Sequence, residues 1–454
     1  MTRLMLLFSF LFAAIVTFAQ EPQAPPPQGQ SPAPQNPAQT APQAARQTGT
    51  PLTLAQAEAT ALRNNPQITI GKLRALQAQQ YVRETRSALL PTAYLSLTGV
   101  DTESGSRLAA GAINSPLLLT RAAAGATVTQ LVTDFGRTTN QVSSSQFQAK
   151  AEDKNAAATA ADITLAVDQA FYNALETREL MKVAEETIKT RQTLVDRVGA
   201  LTQAKLRSDL DLSFANVDLS RAKLLLLESQ NNFQSALAAL SALLGYPDEQ
   251  TFDIVEQEQG ITPPSPEVLS LIAQALQQRP EVAALQFQVE SAQKNSNAEH
   301  DLWRPTVSAF GVAGVAPVRD PQISNWYGAV GVNINIPVFN GFLYNARAKV
   351  ADLQTEATRQ RLMDLRNNVA RDVRISWQDA NQAFARLTVT RELREQANLA
   401  LDLALQRYNL GLSSIVEFSQ AELGKTEADI TDTDARYRYR LSQIVLSYTV
   451  GAPR

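Results

Sequence analysis

The 454-residue chain has no cysteine, a single histidine (His300), and aromatic residues at only 6%. Without thiols there can be no zinc ribbon, no disulfide framework and no lipid-bearing N-terminal cysteine, and one imidazole is too few for a histidine metal cluster. His300 therefore reads as an ordinary side chain, and no cofactor is expected. No nucleophile–base or metal-ligand constellation of an enzyme stands out, and the phosphate-cradling GxxxxGK run does not occur. Charge is balanced, with 41 Lys+Arg against 44 Asp+Glu for a formal net charge of −3. That lacks the basic excess a nucleic-acid binder needs. Beyond the N-terminus no apolar run reaches the roughly 18 residues of a membrane-spanning helix.

What is present begins with an export signal. Arg3, the apolar run Leu4–Val16 and then Thr17-Phe18-Ala19 fit a signal peptide over 1–19, cleaved after Ala19. The alternative, an N-terminal anchor, needs a longer run of about 20 residues. Residues 20–51 are rich in Pro, Gln and Ala with little apolar bulk, which predicts a disordered leader. An exported chain without membrane helices can enter a membrane only through strands.

The rest of the chain is written twice. Leu62-Arg63-Asn64-Asn65-Pro66 returns as Leu276-Gln277-Gln278-Arg279-Pro280, and Leu89-Leu90-Pro91-Thr92 as Leu302-Trp303-Arg304-Pro305-Thr306. Phe135-Gly136 corresponds to Phe339-Asn340-Gly341, Ser208, Asp211 and Ala215 to Ser414, Glu417 and Ala421, and Gly245 to Gly451. Two structural repeats follow, 52–246 and 267–451, joined by a linker at 247–266. In each, a short helix and a second helix ending before a proline lead to a strand pair and then to two long helices (137–200 and 209–244, 342–408 and 414–450). Val167, Ala174, Met181, Ile188 and Val195 recur every seven residues, as do Leu212, Leu219, Leu226, Phe233 and Leu240. Sustained heptads with a large and a small stripe predict coiled-coil packing. Arg394 interrupts the stripe in the second copy.

Four segments read as strands: 92–100, 122–132, 306–314 and 326–336. The last alternates best, with Trp326, Val330, Val332, Ile334 and Ile336 on one face against Asn333 and Asn335 on the other. Such strands, near ten residues with one apolar face, suit a membrane β-barrel, where Trp303 and Trp326 could mark opposite aromatic girdles. Four strands cannot close a barrel, so copies must pool them: two chains give eight, three give twelve. The segments 101–121 and 315–325 become loops at the far side. A soluble coiled-coil scaffold with hairpins packed on its helices is the rival reading.

In its order of elements, and in Asn65-Pro66, Arg279-Pro280, Asp134-Phe135-Gly136-Arg137, Ile336-Pro337-Val338-Phe339-Asn340-Gly341 and the run Arg407 to Glu417, the chain resembles the TolC-like outer-membrane efflux proteins across about 52–451. The resemblance implies a mainly α fold with a small β part. In it, a homotrimer forms a 12-stranded outer-membrane β-barrel continued by a 12-helix periplasmic α-barrel. It implies a passive exit duct rather than an enzyme, set in outer-membrane lipid and docked to a periplasmic adaptor (membrane fusion protein) and an inner-membrane transporter. It places a periplasmic gate at Asp211, Tyr408, Glu417 and Gln420. The adaptor contact falls at Val198, Gly199, Leu410, Gly411, Leu412 and Ser413. Ser413 stands where the family carries an Arg, and Gln420 where it carries a second Asp. A ring of Glu417 carboxylates would favour cations; Asp211 and Glu417 also complement the N-terminal dipoles of their helices.

Overall fold

A computed structural model describes residues 50–454 apart from 102–106, 111–112, 118–120, 249, 251, 257–259, 318–323 and 452–454. The signal and nearly all of the leader lie outside the described residues. The chain opens with strand β1 (Thr50–Leu52), then helices α1 (Leu54–Asn64) and α2 (Pro66–Ser87). Strands β2 (Thr92–Val100), β3 (Arg107–Ala110), β4 (Ile113–Leu117) and β5 (Arg121–Thr133) lead into α3 (Arg137–Gln203) and α4 (Asp209–Leu243). After β6 (Phe252–Ile254) come α5 (Val268–Gln278), α6 (Pro280–His300), β7 (Thr306–Val315), β8 (Trp326–Asn335), α7 (Leu343–Asn409) and α8 (Ile415–Val450). The fold is mainly helical, and the two 67-residue helices α3 and α7 each run about 100 Å at the ordinary helical rise.

Helix ends follow local chemistry. Thr53 and Gln56 form a reciprocal capping box on α1, and Pro66 and Pro280 occupy the first turns of α2 and α6, where a missing N–H costs nothing. The Asn65 side chain accepts from Gln67 N at 2.9 Å and donates to Leu243 O at 2.9 Å, tying the start of α2 to the end of α4. Gly245 closes that corner at φ 82°, and a Cβ there would lie 2.8 Å from Asn64 O, so a larger residue would clash as well as strain.

Packing gives the helices a fixed lateral order. Near the strands the order is α2, α3, α6, α7; towards the long-helix turns it is α4, α3, α8, α7. One large core joins α1, α3, α4 and α8 around Val167, Phe171, Leu175, Leu240 and Leu244, and a second occupies the turn end. The interrupting Arg394 is accommodated by Asp429 at 3.0 Å and Asp432 at 3.4 Å on α8.

Two small features depart from expectation. β1 pairs in parallel with β6, so the leader's last residues and part of the linker are strand. Three-residue strands some 200 positions apart leave no periodic trace in a sequence. The expected loop at 101–121 contains the β3–β4 hairpin, whose Ala-rich run shows no alternation; its Pro116 is tolerated because both strands of a two-stranded ribbon are edges.

Candidate functional site

The four principal strands form an antiparallel sheet ordered β2-β5-β7-β8. Side chains alternate across a strand, so register decides which residues share a face. One face carries the rows Ala93–Val128–Gly311–Val330, Leu95–Ala126–Ala313–Gly328 and Leu97–Ala124–Val315–Trp326, apolar but for the Trp326 indole N–H, and then Gln130–Ala309–Val332. It is open: Leu95 is 75% exposed and Val330 90%. Val332 and Ile334 continue it, and Ile336 extends it just past the strand, all exposed. The opposite face carries Thr92–Thr129, whose hydroxyls meet at 2.7 Å, with Ser96, Ser308, Asn333 and Asn335. Here Tyr327 lies across Gly314 and Gly125, where any Cβ would collide with its phenol group, with the hydroxyl oxygen at Gly125 and with ring and hydroxyl at Gly314. Trp326 sits at one end of the sheet; Trp303, donating to Asn345 Oδ1 at 3.2 Å and edge-on to Tyr344 at 5.4 Å, lies at the other, where β8 leads on to exposed Phe339 and Phe342.

At the far end of the helices the two turns meet. Tyr408 on α7 is 1% exposed, stacks on Phe418 of α8 at 5.8 Å and packs with Val198, Leu194, Ala215 and Ile415. Its other face is covered by Arg207, whose guanidinium carbon lies 4.2 Å from the ring centre and whose Nη2 donates to Tyr408 O at 2.9 Å. Burial, with the nearby Asp211 charge, pushes the Tyr408 phenol up, and its hydroxyl is buried without a hydrogen-bond partner. Asp211 N donates to Ser208 Oγ at 3.2 Å and Glu417 N to Ser414 Oγ at 3.4 Å, so both acids stand in the first turn of capped helices. Glu417 also pairs with Arg407 Nε at 3.0 Å, and Gln420 is exposed on α8.

The candidate contact residues divide sharply. Leu410, Gly411 and Leu412 are exposed at the turn with Ser413 half-buried behind them. Val198 is wholly buried in the tip core, which removes it from any outer surface, and half-buried Gly199 sits inside α3. Exposed Leu206 and Leu210 stand at the first turn instead.

Sequence reasoning passes over Arg207 and Phe418, and also over Arg191 on α3. Arg191 is 5% exposed and meets Glu422 of α8 at 2.5 Å and Asp218 of α4 at 3.4 Å. The signal for it is a charge in the seven-residue series Ala170, Ala184, Val198. His300 meets Asp352 at 3.1 Å, and Ser296 Oγ donates to the same carboxylate.

A sheet with one lipid-compatible face and one mixed face bearing hydroxyls and amides, continued by long helices, has the arrangement of an outer-membrane channel. The chain belongs to a known family of that class: the model for the outer membrane efflux protein family matches it over 59–246 and 271–452. Outer membrane protein TolC of Escherichia coli is 21% identical over 409 residues, covering 86% of this chain and 80% of that protein. The match to TolC of Salmonella enteritidis is 24% identical over 122 residues, 27% of this chain, and spans a quarter (25%) of that protein. In fold, the crystallised channel CusC superposes with a TM-score of 0.75 at 19% identity, covering 93% of this chain and 99% of that one. The protein is an outer-membrane efflux channel, which sets the soluble scaffold aside.

Proposed function

We propose that three copies assemble into a passive exit duct, the outer-membrane part of a tripartite efflux or secretion system. A periplasmic adaptor and an inner-membrane transporter supply its cargo and energy. The observation that carries the reading is a pair of open edges. Among the described residues, β2 and β8 of the sheet are unpaired on their outer sides, and of the helices α2 and α4 end the layer on one side and α7 on the other. β2 follows α2 and β8 precedes α7, so sheet and helices are unfinished on the same flanks. Three antiparallel pairings make β2 and β8 run in opposite directions, and joining β8 of one copy to β2 of the next preserves the alternation around a ring. Eight strands make a barrel filled by its own side chains, whereas twelve leave a lumen, which favours three copies over two. Backbone groups in lipid must all be paired, so the closed cylinder is also the form a membrane admits.

In that assembly the repeats 52–246 and 267–451 are equivalent structural units, and residues 1–19 direct export. The helical part stands in the periplasm. Asp211, Tyr408, Glu417 and Gln420 lie at its constriction, with Arg207 fastening the two turns together. The exposed leucines at 206, 210, 410 and 412, with Gly411 and Ser413, present an apolar tip to the adaptor. Native mass spectrometry of detergent-extracted protein should give trimers that conduct ions in planar bilayers. Release by carbonate without detergent, or monomers that never conduct, would overturn the reading.

A further inference from the structure

The seam between α3 and α8 fastens the first half of the chain to the second, and it is polar at intervals of about two heptads. Tyr448 donates its hydroxyl to Asp162, Glu176 faces Asp434, and Arg191 holds Glu422. A buried polar position in a coiled coil fixes register at the expense of stability. Two of these three contacts do more, because each contains a carboxyl group whose ionisation its surroundings push to higher pH.

Glu422 is 3% exposed, and one guanidinium must serve both it and Asp218. Asp218 turns its other oxygen to exposed Arg221 at 3.4 Å, and Lys425 acts on Glu422 from its own helix. The Arg191–Glu422 contact is close but poorly directed, leaving both carboxylate oxygens without a directed hydrogen bond. Burial, then the Asp218 charge, against the pull of Arg191, push Glu422 up to about 7. Glu176 on α3 is also pushed to about 7, by burial and then by Asp434, with Arg438 opposing. Asp434 is itself paired with Arg386 of α7 at 2.9 Å and Arg438 of α8 at 2.5 Å, so two guanidinium groups face its side of the pair.

We propose that the α3–α8 seam is a proton-operated joint, in which Glu422 and Glu176 hold their protons while α8 lies against α3 and release them to water when it swings away. The inference rests on the duct reading for its consequence, since separating α8 from α3 unfastens the tip. Both groups titrate above their ordinary value of 4.5 when the seam is closed. The closed seam is therefore most stable below about pH 4.5 and loses that advantage as pH rises to about 7, where the closed form ionises too. Between pH 6 and pH 8 the open-to-closed ratio should rise about tenfold for each carboxyl that gains full access to water.

The test is open probability of the full-length channel in planar bilayers from pH 6 to pH 8. It compares the native protein with Glu422→Gln, Glu176→Gln and the double variant, each Gln standing in for a protonated carboxyl. The native channel should open at least about tenfold more often at pH 8, each single variant should flatten the slope, and the double variant should stay closed throughout. A flat native profile, or a double variant with the native slope, overturns the proposal. Hydrogen exchange of α3 and α8 amides, corrected for intrinsic pH dependence, reads the seam without conduction and shows whether the variants fold. If the protein never conducts, the duct reading falls while exchange still decides the joint.

Discussion

The two long hairpins end in turns with the same backbone and different side chains. In each, the second residue after the helix takes a left-handed conformation: Lys205 at φ 58° in the first turn and Gly411 at φ 74° in the second. In each the amide of the next residue reaches back, Leu206 N to Leu201 O and Leu412 N to Arg407 O, both at 2.8 Å. This is the Schellman arrangement, and Ser208 and Ser414 then cap the outgoing helices. The aromatic side chains of the tip core come from one hairpin, because Tyr408 and Phe418 correspond to Thr202 and Leu212 in the other. Backbone geometry alone thus makes a turn, and the aromatic pair with its Arg207 cover decides what that turn is fastened to.

The largest effect should come from emptying the aromatic side. Tyr408→Ala should cost about 3–5 kcal/mol locally, as buried aromatic truncations do, and half-buried Leu212 should cost less on the same change. Hydrogen exchange at residues 198 and 415 reads the difference, and equal losses would erase the asymmetry. Tyr408→Phe sharpens the point, since it removes a buried hydroxyl with no partner and should be neutral or stabilise by about 1 kcal/mol. Exchanging the turn residues comes next. Gly411→Ala should cost about 1–2 kcal/mol of left-handed strain, whereas Lys205→Gly should recover about half of that, glycine's own entropy consuming the rest. Arg207→Ala removes a cation–π contact of about 0.5–1 kcal/mol and a carbonyl's donor. It should raise basal conductance, with Arg207→Lys intermediate.

How much of this was legible depends on whether a pattern repeats. Heptads at 167–195 and 212–240 point to α3 and α4, and alternation at 326–336 points to β8 and to which of its faces is apolar. Tyr408, Asp211, Glu417 and the Leu410–Ser413 turn stand out through the family resemblance, and the structure draws them into one end of the helices. Val198 misleads because a Val-Gly pair resembles the turn motif, while its place in the heptad series already assigns it to the core. Arg207 could not be read: a cation inside a turn carries no period, and its partner Tyr408 lies 201 residues away. Glu422 is hidden for a different reason. It falls one position beside the small stripe through Ala421 and Ala428, so only the facing Arg191 shows that this flank of α8 is buried.

The smallest structural effect has the clearest functional readout. Arg407 and Glu417 form a half-exposed pair at 3.0 Å, and such a pair contributes at most about 1 kcal/mol, so neither substitution should disturb the tip fold. In the proposed trimer their charges would still sum threefold at the proposed constriction. With each Glu417 offset by its Arg407, the pairs leave only weak cation preference to this ring, unlike an unopposed ring of carboxylates. Glu417→Ala should therefore overshoot neutrality, leaving three guanidinium groups and shifting the reversal potential in a salt gradient towards anions. Arg407→Ala should shift it the other way. Unchanged potentials in both variants would show that the pair lies off the ion path, and that Glu417, like Asp211 in the first turn, serves only the N-terminal dipole of its helix.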